Sequence, residues 1–367
     1  MFAMSFGSRN RKSPFFDATV AAGVTHFSVY NHMYMPVSFG DAIGEYWRLV
    51  NGVSMWDVSV ERQVEICGPD AETLVRYLVP RDLKNLRIGQ GKYVPLCDHA
   101  GRLLNDPVLL KVDDDTFWLS IADSDVLLWA RAIAAERGYD ARIVEPDVSP
   151  LAVQGPAAEA VVADLFGDWV RDLKYFWFKE TDLDGIPVLV ARSGWSKQGG
   201  FEIYLRDGSR GGDLWHAVSE AGRRFDIAAG APNYIERIES GLLSYGADTD
   251  PDTNPFEVGL GKFVDLDRHD DFVGKTALRA LHERGIRRRL TGLFIEGPPM
   301  QPNTHPLPVL QGNRKVGKVS AAAYSPRLER NVSLALLEAA ALEIRDPLLV
   351  ITETGQAQAT PSELPFL

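Results

Sequence analysis

The sequence predicts an α+β protein in which two related strand–helix halves are followed by a C-terminal β-barrel. A strand, a Gly-Pro turn and a helix occur twice, at residues 63–78 and 151–166, which indicates an internal duplication. Beyond residue 266 the pattern changes to short strands separated by Pro- and Gly-rich turns. The chain of 367 residues is also too long for a single hydrophobic core, because such cores stop growing at about 250–300 residues.

The first copy begins at residues 63–66, where polar and apolar residues alternate as in a half-buried strand. A turn at residues 68–70 leads into a helix at residues 71–78, for which Asp70 is the expected N-cap. Three strands joined by short turns follow, and then a helix with one apolar face. The strands are predicted at 92–96, 106–112 and 117–121, and the helix at 125–137, with Val126, Leu127, Trp129, Ala130 and Ile133 on its apolar face.

The second copy repeats this order, with a strand at 151–154, a turn at 155–156 and a helix at 157–166. Further strands are predicted at 187–191 and 200–204, and helices at 212–225 and 232–243.

The C-terminal part contains fewer helices. A short helix is predicted up to Glu283, and residues 336–342 have a second helical pattern. We therefore predict two domains, a duplicated region at 1–275 and a β-barrel at 276–367.

The composition excludes several classes of protein. Hydrophobic residues make up 45% and charged residues 24%, as in ordinary globular proteins. The net charge of -11 argues against nucleic-acid binding, because phosphates require a basic surface. No apolar run reaches the roughly 20 residues of a spanning helix, and the first residues do not form a secretory signal, so we expect a cytoplasmic protein without a membrane partner.

Metal and nucleotide chemistry are disfavoured by the motifs. Cys67 and Cys97 are too few for a disulfide framework or a thiolate metal site, and we expect them to be small buried hydrophobic residues. The seven histidines show no metal-ligand spacing, so no metal site is predicted. Phosphate-loop, zinc-protease, nucleophile-elbow and dinucleotide motifs do not occur in the sequence.

Two stretches are dense in functional residue types. Residues 191–204 combine glycines with Arg192, Trp195, Lys197 and Glu202, and an aromatic ring beside a carboxylate suits a flat, hydrogen-bonding heterocycle. The alternative is a long hairpin with a packed Trp. Residues 235–245 form a helix whose Arg237 and Glu239 are either functional or part of a solvated face.

These stretches also carry a resemblance. Over nearly its whole length the chain resembles the aminomethyltransferase (glycine-cleavage T-protein) superfamily, and within it the branch that demethylates dimethylsulfoniopropionate. The stretches similar to that branch are 30–33, 105–107, 120–124, 192–202 and 235–239, and those shared with the superfamily's C-terminal half are 254–261, 272–275 and 325–326.

The resemblance implies a disc of three subdomains around a folate channel, with tetrahydrofolate as the cofactor. We expect catalytic roles for Asp106 and Trp195. Asp106 is expected to orient the folate by hydrogen bonding, because the N5 lone pair needs no prior deprotonation, and a general-base role is the alternative. The implied folate-binding residues are Tyr93, Asp106, Trp195, Glu202 and Arg237. Strand placement adds Val108, beside Asp106, and Tyr204, on the same strand face as Glu202.

For a small sulfonium substrate, aromatic rings offer a cage, because a cation over such faces is stabilised without a fixed counter-charge. The candidates for the cage are Tyr30, Tyr93 and Trp195. A substrate carboxylate needs donors, and Ser124, Lys197 and Arg192 are the candidates for this role.

Departures from the T-protein pattern disfavour aminomethyl transfer. Lys197 and Gln198 stand where the T-protein has an acidic residue, and Val60 and Glu61 where it has a His-Met pair. Demethylation of another onium or methoxy compound, aminomethyl transfer, and folate binding without catalysis stay open as alternatives. A homodimer also stays open.

Overall fold

A computed structural model describes residues 6–344 and 346–367 and confirms the α+β class. The α-helices are α1 (Phe16–Ala21), α2 (Ala42–Asn51), α3 (Ala71–Leu78), α4 (Val126–Arg137), α5 (Ala158–Phe166), α6 (Gly211–Gly222), α7 (Tyr234–Ser240) and α8 (Lys275–Arg284). Among the described residues, α4 and α6 are the longest helices at 12 residues each, and no helix is long and apolar enough to span a membrane.

The strands, in chain order, are β1 (His26–Tyr30), β2 (Met33–Ser38), β3 (Ser54–Asp57), β4 (Gln63–Cys67), β5 (Gln90–Tyr93), β6 (Leu96–Cys97), β7 (Leu103–Asn105), β8 (Val108–Asp113), β9 (Thr116–Ser120), β10 (Arg142–Val144), β11 (Ser149–Gln154), β12 (Phe178–Leu183), β13 (Ile186–Ala191), β14 (Gly200–Leu205), β15 (Ala228–Gly230), β16 (Arg288–Ile295), β17 (Leu307–Gln311), β18 (Arg314–Ser325), β19 (Arg330–Glu338), β20 (Leu348–Thr352) and β21 (Gly355–Ser362).

The chain divides into two compact units, each built from separate stretches of sequence. Unit 1 comprises Met1–Val75, Lys84–Tyr93 and Pro107–Asn233, and unit 2 comprises Arg76–Leu83, Val94–Asp106 and Tyr234–Leu367. The predicted division into domains at residue 275 stays a prediction.

The duplication predicted from the sequence is present in the topology of unit 1. One sheet has the order β5-β8-β9-β4-β10, and the other has the order β12-β13-β14-β11-β3-β15. Each sheet contains a strand, β4 or β11, that leads through a Gly-Pro turn into a helix, and β3 is the extra strand of the second sheet. The turn glycines have nearly the same conformation, since φ is 119° at Gly68 and 121° at Gly155. An alanine Cβ at Gly155 would lie 2.5 Å from the Gly52 carbonyl oxygen, so this turn requires glycine.

The two sheets contribute to one apolar cluster in unit 1. Leu110 and Trp118 from the first sheet pack with Leu189 and Tyr204 from the second. Helices α5 and α6 contribute to a second core of unit 1 with β11, β13 and β14. The strands that carry residues 191–204 are therefore anchored by apolar packing.

Unit 2 contains the predicted barrel. Six strands close in the order β16-β19-β18-β17-β20-β21 around a core that includes Leu293, Val309, Val319 and Leu337. The β6–β7 hairpin and α8 belong to the same unit, where Leu278 and Leu281 of α8 lie against Gly101.

Two predicted elements were wrong. The strand predicted at 92–96 is split into β5 and β6, with Pro95 between them, because proline has no N–H to donate to a ladder. The helix predicted at 336–342 is the end of β19 followed by a 3-10 turn at Ala339–Leu342. Strand β19 pairs with β16 on one side and β18 on the other, and this pairing overrides the local helical pattern.

Other elements differ in extent. Helix α7 is shorter than predicted and ends before Gly241, whose φ is 65°. The sequence patterns did not predict β1, β2, β3, β7, β10, β12, β15, α1 or α2. The side chain of Asp70, the expected N-cap of α3, accepts a hydrogen bond from the Asp140 backbone N–H at 2.8 Å.

Candidate functional site

Glu202 of β14 is a buried carboxylate in unit 1. Its side chain is 4% exposed, and Oε2 accepts hydrogen bonds from Ser193 Oγ at 2.5 Å and Tyr204 Oη at 3.0 Å. Burial raises the pKa of Glu202 from its ordinary value, and the two hydrogen bonds partly offset this by stabilising the ionised form. Glu202 and Tyr204 share one face of β14 because side chains alternate along a strand, as predicted.

Tyr204 connects this carboxylate to the first sheet of unit 1. Its ring is buried and lies 6.5 Å from the Trp118 ring, measured between centroids. Burial and the charge of Glu202 raise the pKa of the Tyr204 hydroxyl well above its usual range, while a hydrogen bond with Ser120 lowers it. The hydroxyl is therefore a neutral hydrogen-bond donor to Glu202.

Gln154, at the end of β11, holds the loop before Glu202. Its Nε2 donates to the Ser193 carbonyl at 3.1 Å and the Phe201 carbonyl at 3.3 Å, and its Oε1 accepts from Ser196 Oγ at 2.8 Å. Sequence reasoning missed Gln154, although a polar residue ending the buried segment 151–154 is a signal for such a role. It also missed Ser193, which lies inside the glycine-rich stretch.

The Gln154 side chain explains why residues 194 and 200 are glycines. An alanine at position 194 would place its Cβ 2.0 Å from Gln154 Nε2, and an alanine at position 200 would place it 2.5 Å from the same atom. Both residues have positive φ, 147° and 155°, which glycine adopts easily. The glycines expected to admit a ligand therefore admit the Gln154 side chain.

The Arg192 side chain forms hydrogen bonds within unit 1. Its guanidinium donates to Glu159 Oε2 at 2.9 Å, to the Leu173 carbonyl at 3.1 Å and to the Arg171 carbonyl at 3.2 Å. These contacts anchor the start of the loop, so Ser124 and Lys197 are the better candidates for binding a substrate carboxylate.

The remaining unit 1 candidates lie on strand ends and loops. Tyr93 and Val108 are direct partners across β5 and β8. Tyr30 ends β1, and the next residue, Asn31, donates from its backbone to Asp123 Oδ1 at 2.8 Å, which joins this segment to the one that contains Ser124. Trp195 is partly buried and Lys197 is exposed.

Two of the predicted folate-binding residues, Asp106 and Arg237, belong to unit 2. Arg237 is 3% exposed and donates to Asp248 Oδ2 at 2.6 Å, an ion pair that Ser320 supports by donating to Asp248 Oδ1 at 2.5 Å. The Asp106 charge contributes to raising the pKa of Tyr245, an effect that is mainly due to burial. The ion pair gives Arg237 a structural role inside unit 2.

Both parts of the chain match a known family. Residues 15–268 match the GCVT N-terminal domain, and residues 288–367 match the glycine cleavage T-protein C-terminal barrel domain. The chain belongs to the glycine cleavage T-protein family, as its fold and sequence patterns predicted.

Individual relatives are more specific. The chain is 45% identical over 339 residues to the dimethylsulfoniopropionate demethylase DmdA of Ruegeria pomeroyi, covering 92% of each chain. It is 31% identical over 323 residues to an aminomethyltransferase of Desulfitobacterium hafniense, covering 86% of this chain and 87% of that one.

The fold is shared with the aminomethyltransferase T of the Bartonella henselae glycine cleavage system. That crystal structure matches with a TM-score of 0.85 and 22% identity, covering 97% of this chain and 98% of that one.

Proposed function

We propose that this protein is a tetrahydrofolate-dependent methyltransferase that demethylates dimethylsulfoniopropionate and releases methylmercaptopropionate. The observation that carries the proposal is the buried carboxylate of Glu202, in a chain 45% identical to a demethylase of that compound. Membership of the family supports the folate, and the relative supports the methyl donor.

Glu202 fits the pterin ring of tetrahydrofolate. The ring presents an edge of N–H and amino donors, for which a carboxylate is the natural acceptor. Among the described residues, the hydrogen bonds to the Glu202 carboxylate both end on Oε2, so Oε1 is available to a ligand. Tyr93, Val108, Trp195 and Tyr204 of unit 1 are proposed as folate-binding residues with Glu202, and the family resemblance adds Asp106 and Arg237 to the proposal.

The proposed reaction requires the protein mainly to position the two reactants. Tetrahydrofolate, when bound, supplies the N5 nucleophile that accepts the methyl group. The methyl group on a sulfonium is already activated, so holding the reactants in line can supply about 7–11 kcal/mol of barrier reduction. We assign Asp106 to orienting the folate by hydrogen bonding, since the lone pair of N5 would need no base to deprotonate it before transfer.

The substrate cation needs moderate stabilisation. Transfer removes the positive charge from sulfur, so a site that binds the cation too tightly would slow the reaction. Tyr30, Tyr93 and Trp195 form the proposed cage, because aromatic faces stabilise a cation by only about 0.5–2 kcal/mol. Lys197 and Ser124 are the proposed donors to the substrate carboxylate.

Product analysis tests the function. The purified protein is incubated with tetrahydrofolate and, separately, dimethylsulfoniopropionate, a quaternary ammonium analogue, a methoxy compound or an aminomethyl-lipoyl carrier. We expect 5-methyltetrahydrofolate and methylmercaptopropionate from dimethylsulfoniopropionate, detected by mass spectrometry.

Each other outcome contradicts part of the proposal. Turnover restricted to the onium or methoxy analogue would change the donor, and turnover restricted to the lipoyl carrier would favour aminomethyl transfer. Folate binding without turnover of any donor would indicate a non-enzymatic folate-binding protein.

A further inference from the structure

A series of buried polar side chains leads from Glu202 into the first sheet of unit 1. Tyr204 Oη donates to Glu202 Oε2 at 3.0 Å, and Gln63 Nε2 donates to Ser120 Oγ at 2.9 Å. A hydrogen bond between Ser120 and Tyr204 lowers the pKa of the tyrosine and joins the two pairs. All four side chains are buried, so water does not compete with these hydrogen bonds.

The fold brings these residues together across two sheets. Gln63 of β4 and Ser120 of β9 are direct partners in the first sheet. Trp118 lies two residues before Ser120 on the same strand face and packs against Tyr204 of the second sheet. The Ser120 side chain therefore faces the strand that carries Glu202.

The orientation of the Gln63 amide is fixed. Its Nε2 also donates to the Glu61 carbonyl at 2.6 Å, and a carbonyl oxygen only accepts hydrogen bonds, so the amide nitrogen must face it. The second N–H then goes to Ser120 Oγ. The Ser120 hydroxyl therefore donates to Tyr204 Oη, and the Tyr204 hydroxyl donates to Glu202. The Glu61 carbonyl thus fixes the donor-to-acceptor direction of every hydrogen bond in the series.

The amide at Gln63 has an energetic cost. Its Oε1 is buried without a hydrogen-bond partner among the described residues, which destabilises the folded state. A methionine would fill a similar volume without this orphan acceptor. The two N–H donors of Gln63 are the feature that a methionine cannot provide.

We propose that Gln63 is a positioning residue that acts on the Glu202 carboxylate through Ser120 and Tyr204. The inference rests on the proposed function, because it assigns Gln63 to the folate site. With Gln63 in place, the Tyr204 hydrogen points at Glu202, and Glu202 is held as the ionised acceptor that the pterin donors need.

Other titratable groups near this series are Tyr175 and Glu61. The charge of Glu202 contributes to raising the pKa of Tyr175, after burial, and the charge of Glu61 contributes to raising the pKa of Tyr204. Both groups are present in wild type and in all the variants below, so their electrostatic effects cancel when each variant is compared with wild type.

The test measures the dissociation constant for tetrahydrofolate between pH 4.5 and 8.5, about the range over which a buried carboxylate titrates. The full-length proteins compared are wild type, Gln63→Met, Tyr204→Phe and the double variant. We expect Tyr204→Phe to weaken binding at neutral pH by about tenfold or more, and Gln63→Met by about threefold to tenfold. The pH at which binding is lost on acidification should rise by about half to one unit in both.

The double variant decides whether the two residues act in series. If Gln63 acts through Tyr204, the double variant should bind within about twofold of Tyr204→Phe alone. Multiplied effects of the two substitutions would overturn the proposal. In Gln63→Met the KM for folate should rise by a larger factor than kcat falls, because Gln63 acts on folate binding and does not touch the reacting atoms.

Val64→Ala is the matched control for general damage to β4. Val64 is buried beside Gln63 but points to the opposite face of the strand, so its loss should destabilise the fold without moving the pH midpoint. Ser120→Ala breaks the same series and replaces Gln63→Met if that variant does not fold.

The two proposals fail differently. A wild-type protein that binds no tetrahydrofolate at any pH would refute the proposed function. A wild-type protein that binds it, with an unshifted midpoint in Gln63→Met and Ser120→Ala, would refute only the role of Gln63.

Discussion

At the scale of single residues, Glu202 combines a proposed folate-binding role with a destabilising effect. A buried carboxylate suits the pterin donors, yet burial raises its pKa and disfavours its ionised form. The folded protein therefore keeps the proton to a higher pH than the unfolded chain does. The free energy of unfolding is therefore not reduced by Glu202 below the ordinary pKa of 4.5, where the carboxyl is protonated in both states. It decreases as the pH rises from 4.5 through the pKa of the folded state.

Glu202→Gln should separate function from stability. The amide oxygen still accepts from Ser193 and Tyr204 but does not titrate, so the melting temperature of the variant relative to wild type should increase as the pH rises above 4.5. Tetrahydrofolate should bind more weakly by about 1.5–3 kcal/mol, because the charged acceptor is lost. Thermal denaturation across pH and calorimetric titration measure the two effects. A stability difference that stays constant with pH would contradict the raised pKa.

Trp195 distinguishes a cation cage from a folate platform. A cage needs an aromatic face, so Trp195→Phe should keep part of the transfer rate while Trp195→Leu loses more, by about 0.5–2 kcal/mol of barrier. A residue that only packs on the pterin should instead affect the folate dissociation constant in both variants, with little change in kcat at saturating folate. Measuring kcat and folate affinity for the two variants settles the role, and equal rates for Phe and Leu would exclude the cage.

At the scale of elements, the loop before β14 is shaped by β11. Gln154 of β11 holds this loop by three hydrogen bonds, and Gly194 and Gly200 leave room for its side chain. The loop ends on the strand that carries Glu202, so its conformation fixes the donor Ser193 beside that carboxylate.

Gly194→Ala and Gly199→Ala form a matched pair. Both glycines have positive φ, but an added Cβ at Gly194 would lie 2.0 Å from Gln154, whereas at Gly199 nothing lies within 4 Å. Gly199→Ala should lose only about 1–2 kcal/mol of unfolding free energy from backbone strain. The unfolding free energy of Gly194→Ala should fall by about 1–3 kcal/mol more than that of Gly199→Ala, because the added Cβ displaces Gln154. The same displacement should weaken folate binding. Denaturant unfolding and folate titration test this, and equal losses would contradict the packing argument.

At the scale of the whole molecule, the barrel strands depend on preceding segments of unit 2. Arg288 of β16 forms a two-point ion pair with Glu257 at 2.9 Å, and the Leu290 backbone N–H donates to the Glu257 carbonyl at 2.8 Å. Ser320 of β18 donates to the buried Asp248. The barrel therefore shares hydrogen bonds with residues on the other side of the predicted boundary at 275.

Limited proteolysis tests that boundary. Trypsin should cut at residues 284–287, where α8 ends and where Arg284 and Arg287 are exposed. We expect the two fragments to stay associated in gel filtration, because the contacts of Glu257 and Asp248 persist after the cut. Release of a folded barrel fragment would instead support a separate domain that begins near residue 276.

The sequence by itself determined the fold class, the duplication, the barrel and the stretch that contains Glu202. These follow from local patterns, since periodicity and turn residues act within a few positions of the chain. Only the tertiary structure decided which residues surround that carboxylate. Gln63, Ser120 and Gln154 belong to distant strands. The pairing of β11 with β14 places Gln154 beside the loop, and the packing of the first sheet against Tyr204 brings Ser120 and its partner Gln63 towards β14. Likewise, only the fold supplies the ion-pair partners of two candidate site residues: Arg192 pairs with Glu159, and the buried Arg237 pairs with Asp248. No local pattern of the sequence specifies these partners.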